Sequence, residues 1–343
     1  MAEKQKHIFL LAAMSVLLAL FFFANILLGS VRISPHDVFL ALRGEASATI
    51  NQIVVDFRLP KAITAILAGA ALSVCGLQMQ TIFRNPLSGP DVLGISSGAS
   101  LGVAILVLGF SSFFSTSLFT LMGSWTIVLV AWLGAGGVLM LILLVSTRVR
   151  DIMTILILGI LFSGATSAIV TILQYFSSES MLKSFVVWTM GSLGSVTTTQ
   201  LKVLIPSVIA GLALTALTIK QLDVLLLGEK YSASMGVNVQ TTRVLVFVST
   251  SILAGSITAF CGPVGFIGVA VPHLTRMVFR TSSHKILFPG SILIGAIVML
   301  FSDMIAQMPG ASFTLPINAV TSILGIPVIV WIILKNKKLG GYF

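Results

Sequence analysis

Residues 152–176 read IMTILILGILFSGATSAIVTILQYF, an unbroken apolar stretch without a single Asp, Glu, Lys, Arg or His. Crossing the hydrocarbon core of a bilayer takes about 20 apolar residues of helix. A sheet with open edges cannot face lipid, because its backbone groups would go unpaired. The stretch therefore predicts a membrane-spanning helix. Similar runs lie on both sides of it, at 8–29, 59–83, 92–110, 118–146, 201–219, 241–260, 264–280, 286–306 and 315–334. With 152–176 they make ten, and 264–280 is short and rich in Gly and Pro. The expectation is an all-α integral membrane protein, and with no low-complexity linker in the chain, a single transmembrane domain over residues 1–343.

Composition supports this. The chain is 57% hydrophobic and 9% charged, where a soluble domain carries about 25% charged residues. The formal charge of +10 does not indicate nucleic acid. The basic residues stand singly or in pairs between apolar runs and form no stripe or aromatic-interleaved patch. They sit where membrane insertion puts them: with the N-terminus inside, 14 of the 20 Lys and Arg fall on the cytoplasmic side and 6 outside, so both termini are expected in the cytoplasm. The first run follows Lys4 and Lys6, is long for a signal peptide and has no small-x-small cleavage site, so it reads as an uncleaved first helix. Cys75 and Cys261 lie inside apolar runs and are too few for a disulfide framework or a metal cluster.

Leu67-Ala-Gly69 followed by Cys75-Gly76 recurs at the same spacing as Leu253-Ala-Gly255 followed by Cys261-Gly262. The predicted topology runs the two copies in opposite directions, the pattern of an inverted repeat.

Covalent chemistry has no visible home. All ten acids fall in loops or near span ends, whereas an ionisable group in mid-membrane usually marks an ion path. H-E-x-x-H and the phosphate loop G-x-x-x-x-G-K-[ST] are both absent. No catalytic or metal site is expected, and no ATP hydrolysis by this chain. Gly and Pro cluster instead at predicted turns, in Arg84-Asn-Pro-Leu87, Gly89-Pro-Asp-Val-Leu-Gly94 and Gly262-Pro-Val-Gly-Phe-Ile-Gly268.

Four strings give a resemblance. Arg58-Leu-Pro-Lys61, the segment Gln80–Gly94 with its Asn85-Pro86-Leu87, the segment Gly262–Arg276, and Leu315–Pro327 occur in order. Together they resemble the FecCD-type permeases, membrane subunits of type II ABC importers for iron–siderophore complexes, haem and cobalamin. The resemblance covers about residues 50–334. It implies ten helices per subunit, a second copy of the chain around a central path, two cytoplasmic ATP-binding subunits carrying Mg-ATP, and an external or periplasmic substrate-binding protein. The implied location is the cell inner membrane, and the implied action is ATP-driven import by alternating access, with no cofactor bound by this chain.

The resemblance also implies roles. Arg58, Lys61 and Gln307 take positions that face the binding protein, although anchoring at the interface by snorkelling is the alternative for the first two. Gly228, Glu229, Lys230, Ser232, Ser234, Met235 and Gly236 match the loop that seats in the ATPase. Gln80, Asn85 and Thr154 are candidates for the pathway or its gate. Gln307 stands where the family often has Arg, Thr314 where it often has Glu, and Asn318 where it usually has Gly. His273 reads as a packed histidine. An ion-coupled secondary transporter remains the alternative, weakened by the missing mid-membrane acid. An intramembrane enzyme and a purely structural subunit are the other two readings.

Overall fold

The computed structural model describes residues 2–29, 31–109, 124–149, 151–307 and 313–338. These residues are helical, with no strand among them. In chain order the helices are α1 (Ala2–Leu27), α2 (Pro35–Arg43), α3 (Ala48–Asn51), α4 (Leu59–Ile82), α5 (Ile95–Ala104), α6 (Ser124–Arg148), α7 (Ile152–Tyr175), α8 (Glu179–Thr189), α9 (Thr198–Leu225), α10 (Glu229–Ser234), α11 (Val239–Cys261), α12 (Ile267–Phe279), α13 (His284–Gln307) and α14 (Ile317–Lys338). Each of the ten expected spans falls on one of them. Seven helices are long and apolar enough to cross a membrane, and three shorter apolar ones are Ile95–Gly109, Ile267–Phe279 and Ile317–Ile332. Residues 118–123 of the expected fourth span lie outside the described residues.

The stretches expected as loops hold helices too. Within 30–58, Ser34 caps α2 by accepting the Asp37 N–H, Pro35 opens the helix and Gly44 closes it in a left-handed conformation. Then α3 runs through a π-helical turn, Gln52–Arg58, straight into α4. Residues 177–200 hold α8, and 220–240 hold α10.

Two compact units can be described: Met1–Leu77, Ser192–Ile205 and Val264–Phe343 in the first, Gln78–Gly191 and Pro206–Pro263 in the second. Both α4 and α9 pass from one unit to the other without a break in the helix.

In the first unit, α13 packs against α1, α12 and α14. The first part of α4 meets α13 where Gly69 faces Gly295. A Cβ on either glycine would collide with the other's backbone, so only glycine lets the helices come this close. Ser73 Oγ donates to the Ser291 carbonyl at 2.7 Å in the same seam. Asn318, which stands where a glycine is usual in the resembled family, accepts the Gly265 N–H at 3.0 Å and so ties the start of α14 to the turn before α12.

In the second unit, α5 packs on α6 through Gly98 and Gly134, again with no room for a side chain. Trp125 and Trp132 of α6 both meet Phe260 of α11 edge-on. The two copies of the Leu-Ala-Gly…Cys-Gly pattern lie on α4 and α11, and most residues of both helices are buried. The copies diverge at their ends. Helix α4 continues past Gly76, whereas α11 stops at Cys261 and Gly262 turns away with φ 75°.

Candidate functional site

The basic pair expected at an outer rim lies inside the first unit. Arg58, buried at the end of the π-helical turn, donates to the carbonyls of Ile26 at 2.8 Å and Leu27 at 3.0 Å, and to that of Val31. Its guanidinium thus satisfies carbonyls that the end of α1 leaves without helical partners. Lys61 Nζ lies 2.8 Å from Asp303 Oδ1, with the two side chains 13% and 2% exposed. Asn25 Nδ2 donates to the other oxygen of Asp303 at 2.9 Å. A docking role for Arg58 and Lys61 gains nothing from this geometry, because both charges are already engaged within the chain. Gln307, at the end of α13, is half-buried.

The loop expected to meet an ATPase is a built structure. Gly228 has φ 116°, a value that side chains with a Cβ rarely adopt, and it opens α10. Ser232, buried, donates to the Val224 carbonyl at 2.9 Å and to Gly228 at 2.6 Å. Glu229, at the first position of α10, is paired with Arg243 of α11. The far side of the loop stays open. Leu227, Tyr231 and Met235 are 64%, 56% and 56% exposed, and Lys230, Ser234 and Gly236 are exposed beside them.

The three gate candidates have separate surroundings. Gln80 is buried in α4. Asn85 Oδ1 accepts the Leu87 N–H at 3.0 Å and shapes the turn through Pro86. Thr154 belongs to the cap of α7, where Asp151 Oδ2 accepts its N–H at 2.9 Å and its hydroxyl at 2.7 Å. Those two bonds, the hydroxyl first, hold the Asp151 carboxyl below the usual carboxylate range. His273 is buried, as expected.

Two features escaped the sequence reading. Gln78 is fully buried and its amide is bonded at both ends. Its nitrogen donates to the Thr215 hydroxyl, and its oxygen accepts Ser249 Oγ at 3.0 Å and Thr250 Oγ1 at 3.1 Å. Gln78 and Gln80 standing together in an apolar run were the available signal. The second is a cleft of about 340 Å³ in the second unit, lined by Ser96, Ser97 and Ser100 of α5, Ser167 and Thr171 of α7, and Thr189 of α8, with Phe185 and Pro263. Its hydroxyls are spread over three helices, so no local pattern announced it. The cleft carries no ionisable group. It could pass a polar, uncharged surface without holding it by charge.

Seven helices long and apolar enough to cross a membrane define a polytopic membrane protein. The model of the FecCD transport family matches residues 17–335, and the chain belongs to that family. It is 32% identical over 337 residues to the vitamin B12 import system permease protein BtuC of Salmonella typhimurium, covering 98% of each. To an ABC transporter permease protein of Methanocaldococcus jannaschii it is 33% identical over 313 residues, covering 90% of this chain and 89% of the relative. A metal-chelate type ABC transporter solved in an inward-facing conformation superposes with a TM-score of 0.83 at 28% identity, covering 95% of this chain and 98% of the other.

Proposed function

We propose that the chain is the permease subunit of an ATP-driven type II importer in the cell inner membrane, moving an iron chelate (siderophore or haem) or cobalamin inward by alternating access. It works beside a second copy of itself, with two cytoplasmic subunits that bind and hydrolyse Mg-ATP and an external substrate-binding protein. Both termini are cytoplasmic in this reading.

The observation that carries it is α10. A helix of 6 residues is too short to be stable alone, yet here it is fastened to its neighbours and presents Leu227, Tyr231 and Met235 outward. Exposed apolar side chains gathered at one point mark a contact surface. The excess of basic residues on that side supports a cytoplasmic position for it. The relatives named above, one importing vitamin B12 and one of metal-chelate type, support the substrate class. The uncharged cleft suits a bulky ligand that must pass without sticking. An ion-coupled carrier finds no support: the buried acid Asp303 is already paired with Lys61. Docking of the binding protein is left to Gln307 and exposed outer segments.

The test is co-purification with the ATP-binding subunits and ATP-driven uptake in proteoliposomes, for the natural chain and Ser234→Arg. We expect the variant to lose both while the isolated permease melts unchanged. Full assembly and uptake in the variant would place the ATPase seat elsewhere.

A further inference from the structure

We propose that Arg84 and Arg243 are positioning residues for energy transfer, clamping α10 from two sides so that the inner ends of α4, α9 and α11 move with it as one piece. The proposal rests on the reading of α10 as the ATPase seat and goes beyond it in saying how force leaves that seat.

Each arm of the clamp is on a different helix. Arg84 lies in the turn two residues past α4 and adopts φ 47°, a left-handed conformation uncommon outside glycine. Strain of this kind persists only where the surroundings enforce it. Here the conformation lets Nη2 donate to the Leu225 carbonyl, the last of α9, at 3.0 Å. The same guanidinium lies over Gly228, where a Cβ would come within 3.2 Å of Nη2. Arg84 therefore holds the hinge by which α9 turns into α10.

Arg243 holds the other side. It sits in the first turns of α11, its side chain is 3% exposed, and its Nη2 lies 2.5 Å from Glu229 Oε1. Withdrawing a guanidinium from water is costly unless it is well paired, and an apolar side chain would often stabilise the fold as well or better. What the pair adds is a fixed direction between α10 and α11. One turn earlier Gln240 Nε2 donates to the Ser146 carbonyl at 2.7 Å, which ties the same end of α11 to α6.

A second level of fastening lies deeper. Gln78 joins α4 to Thr215 of α9 and to Ser249 and Thr250 of α11. At 1.5 Å per residue, the two levels are about 9 Å apart along α4 and about 15 Å apart along α9. Three helices joined at two separated levels cannot pivot freely on one another. A push on α10 is then delivered to the helices as a translation or rotation of the group.

The experiment uses the whole transporter in proteoliposomes, with its ATP-binding and substrate-binding subunits, and reads uptake per ATP hydrolysed. Arg84→Ala and Arg243→Gln should still co-purify with the ATPase and still hydrolyse ATP, while uptake per ATP falls about tenfold, the scale of one lost charge-assisted hydrogen bond. Arg84→Lys and Arg243→Lys keep the charge and should recover most of that ratio. They also serve where the harsher variants fail to fold. Unchanged uptake per ATP in Arg84→Ala and Arg243→Gln overturns the clamp. So does loss of ATPase binding in the Lys variants, since the two arginines would then shape the seat rather than transmit from it. A separate arm places a cysteine at Ala233, an exposed position of α10, in the otherwise natural chain. If it never cross-links to the ATP-binding subunit while transport continues, the seat itself has been misread, independently of the arginines.

Discussion

Asp303 accepts from Lys61 at one carboxylate oxygen and from Asn25 at the other, so one buried acid joins α1, α4 and α13. The arrangement stabilises only while it is complete, because removing one partner of a buried pair strands the other charge. Lys61→Met alone should destabilise the protein by about 3–5 kcal/mol. Lys61→Met combined with Asp303→Leu should recover most of that. Thermal melting of the purified permease checks both, and equal losses in the single and double variants would contradict the pairing.

Arg58 makes a related prediction at the end of α1. Arg58→Ala removes donors from three carbonyls, and each buried acceptor left open costs about 1–3 kcal/mol. The loss should appear as a lower melting midpoint and as early proteolysis near residue 30. Capture of a binding protein that weakened in proportion to ionic strength, with stability unchanged, would restore the docking role instead.

Gln78 separates a polar hub from plain packing. Gln78→Leu fills a similar volume but takes one bond from each of the Thr215, Ser249 and Thr250 hydroxyls, and should cost about 1–3 kcal/mol. Adding Thr215→Val and Thr250→Val should give part of it back, since two of the three hydroxyls that lost a bond are then apolar. Additive losses across the series would mean the bonds are incidental.

Asp151 predicts a dependence on pH. Its carboxyl is held below the usual range by the Thr154 hydroxyl and N–H. A depressed folded value means that the cap's contribution is complete above the unfolded carboxylate pKa and is lost as pH falls through the folded one. Melting followed from about pH 7 to about pH 3 should show that acid-side loss, with the Asp151 share of it absent in Asp151→Asn. Asn keeps the capping oxygen without the charge. The same acid-side slope in both proteins would assign it to other groups.

The seat on α10 is tested by Ser234→Arg, as set out above. Ser234 is exposed, so a change in the isolated chain's stability beyond about 0.5 kcal/mol is not expected.

The helices under the expected spans were legible because lipid imposes a length and a composition, and both can be read one segment at a time; seven are long enough to cross and three are shorter. The strings from Arg58 to Pro327 were legible as family marks for the same reason. The partners of those residues were not. Lys61 and Asp303 come from opposite ends of the chain, and a lysine near a span end looks the same whether it meets water, lipid or a buried acid. Asp303 lies one turn from the end of α13 and so read as a boundary residue, although the structure buries it. The loop at 220–240 was marked by its mixed charge, but the pairing of Glu229 with Arg243 turned one of its expected outward contacts inward. The cleft hydroxyls were invisible because serines on three separate helices share no spacing.

The bond between Asn25 and Asp303 also sets a schedule for the cell. The two residues are 278 positions apart, and ribosomes add about 5–20 residues per second. Helix α1 enters the membrane first, and its Asn25 then waits roughly a quarter of a minute to a minute before its acceptor has been made. His7, whose ring contacts the Phe279 carbonyl at 3.0 Å, waits nearly as long. Arg58 arrives early. A ribosome that stalls before α13 therefore leaves an unfinished chain whose first helix is fastened at one end only. Such fragments offer membrane quality control an amide still searching for its partner.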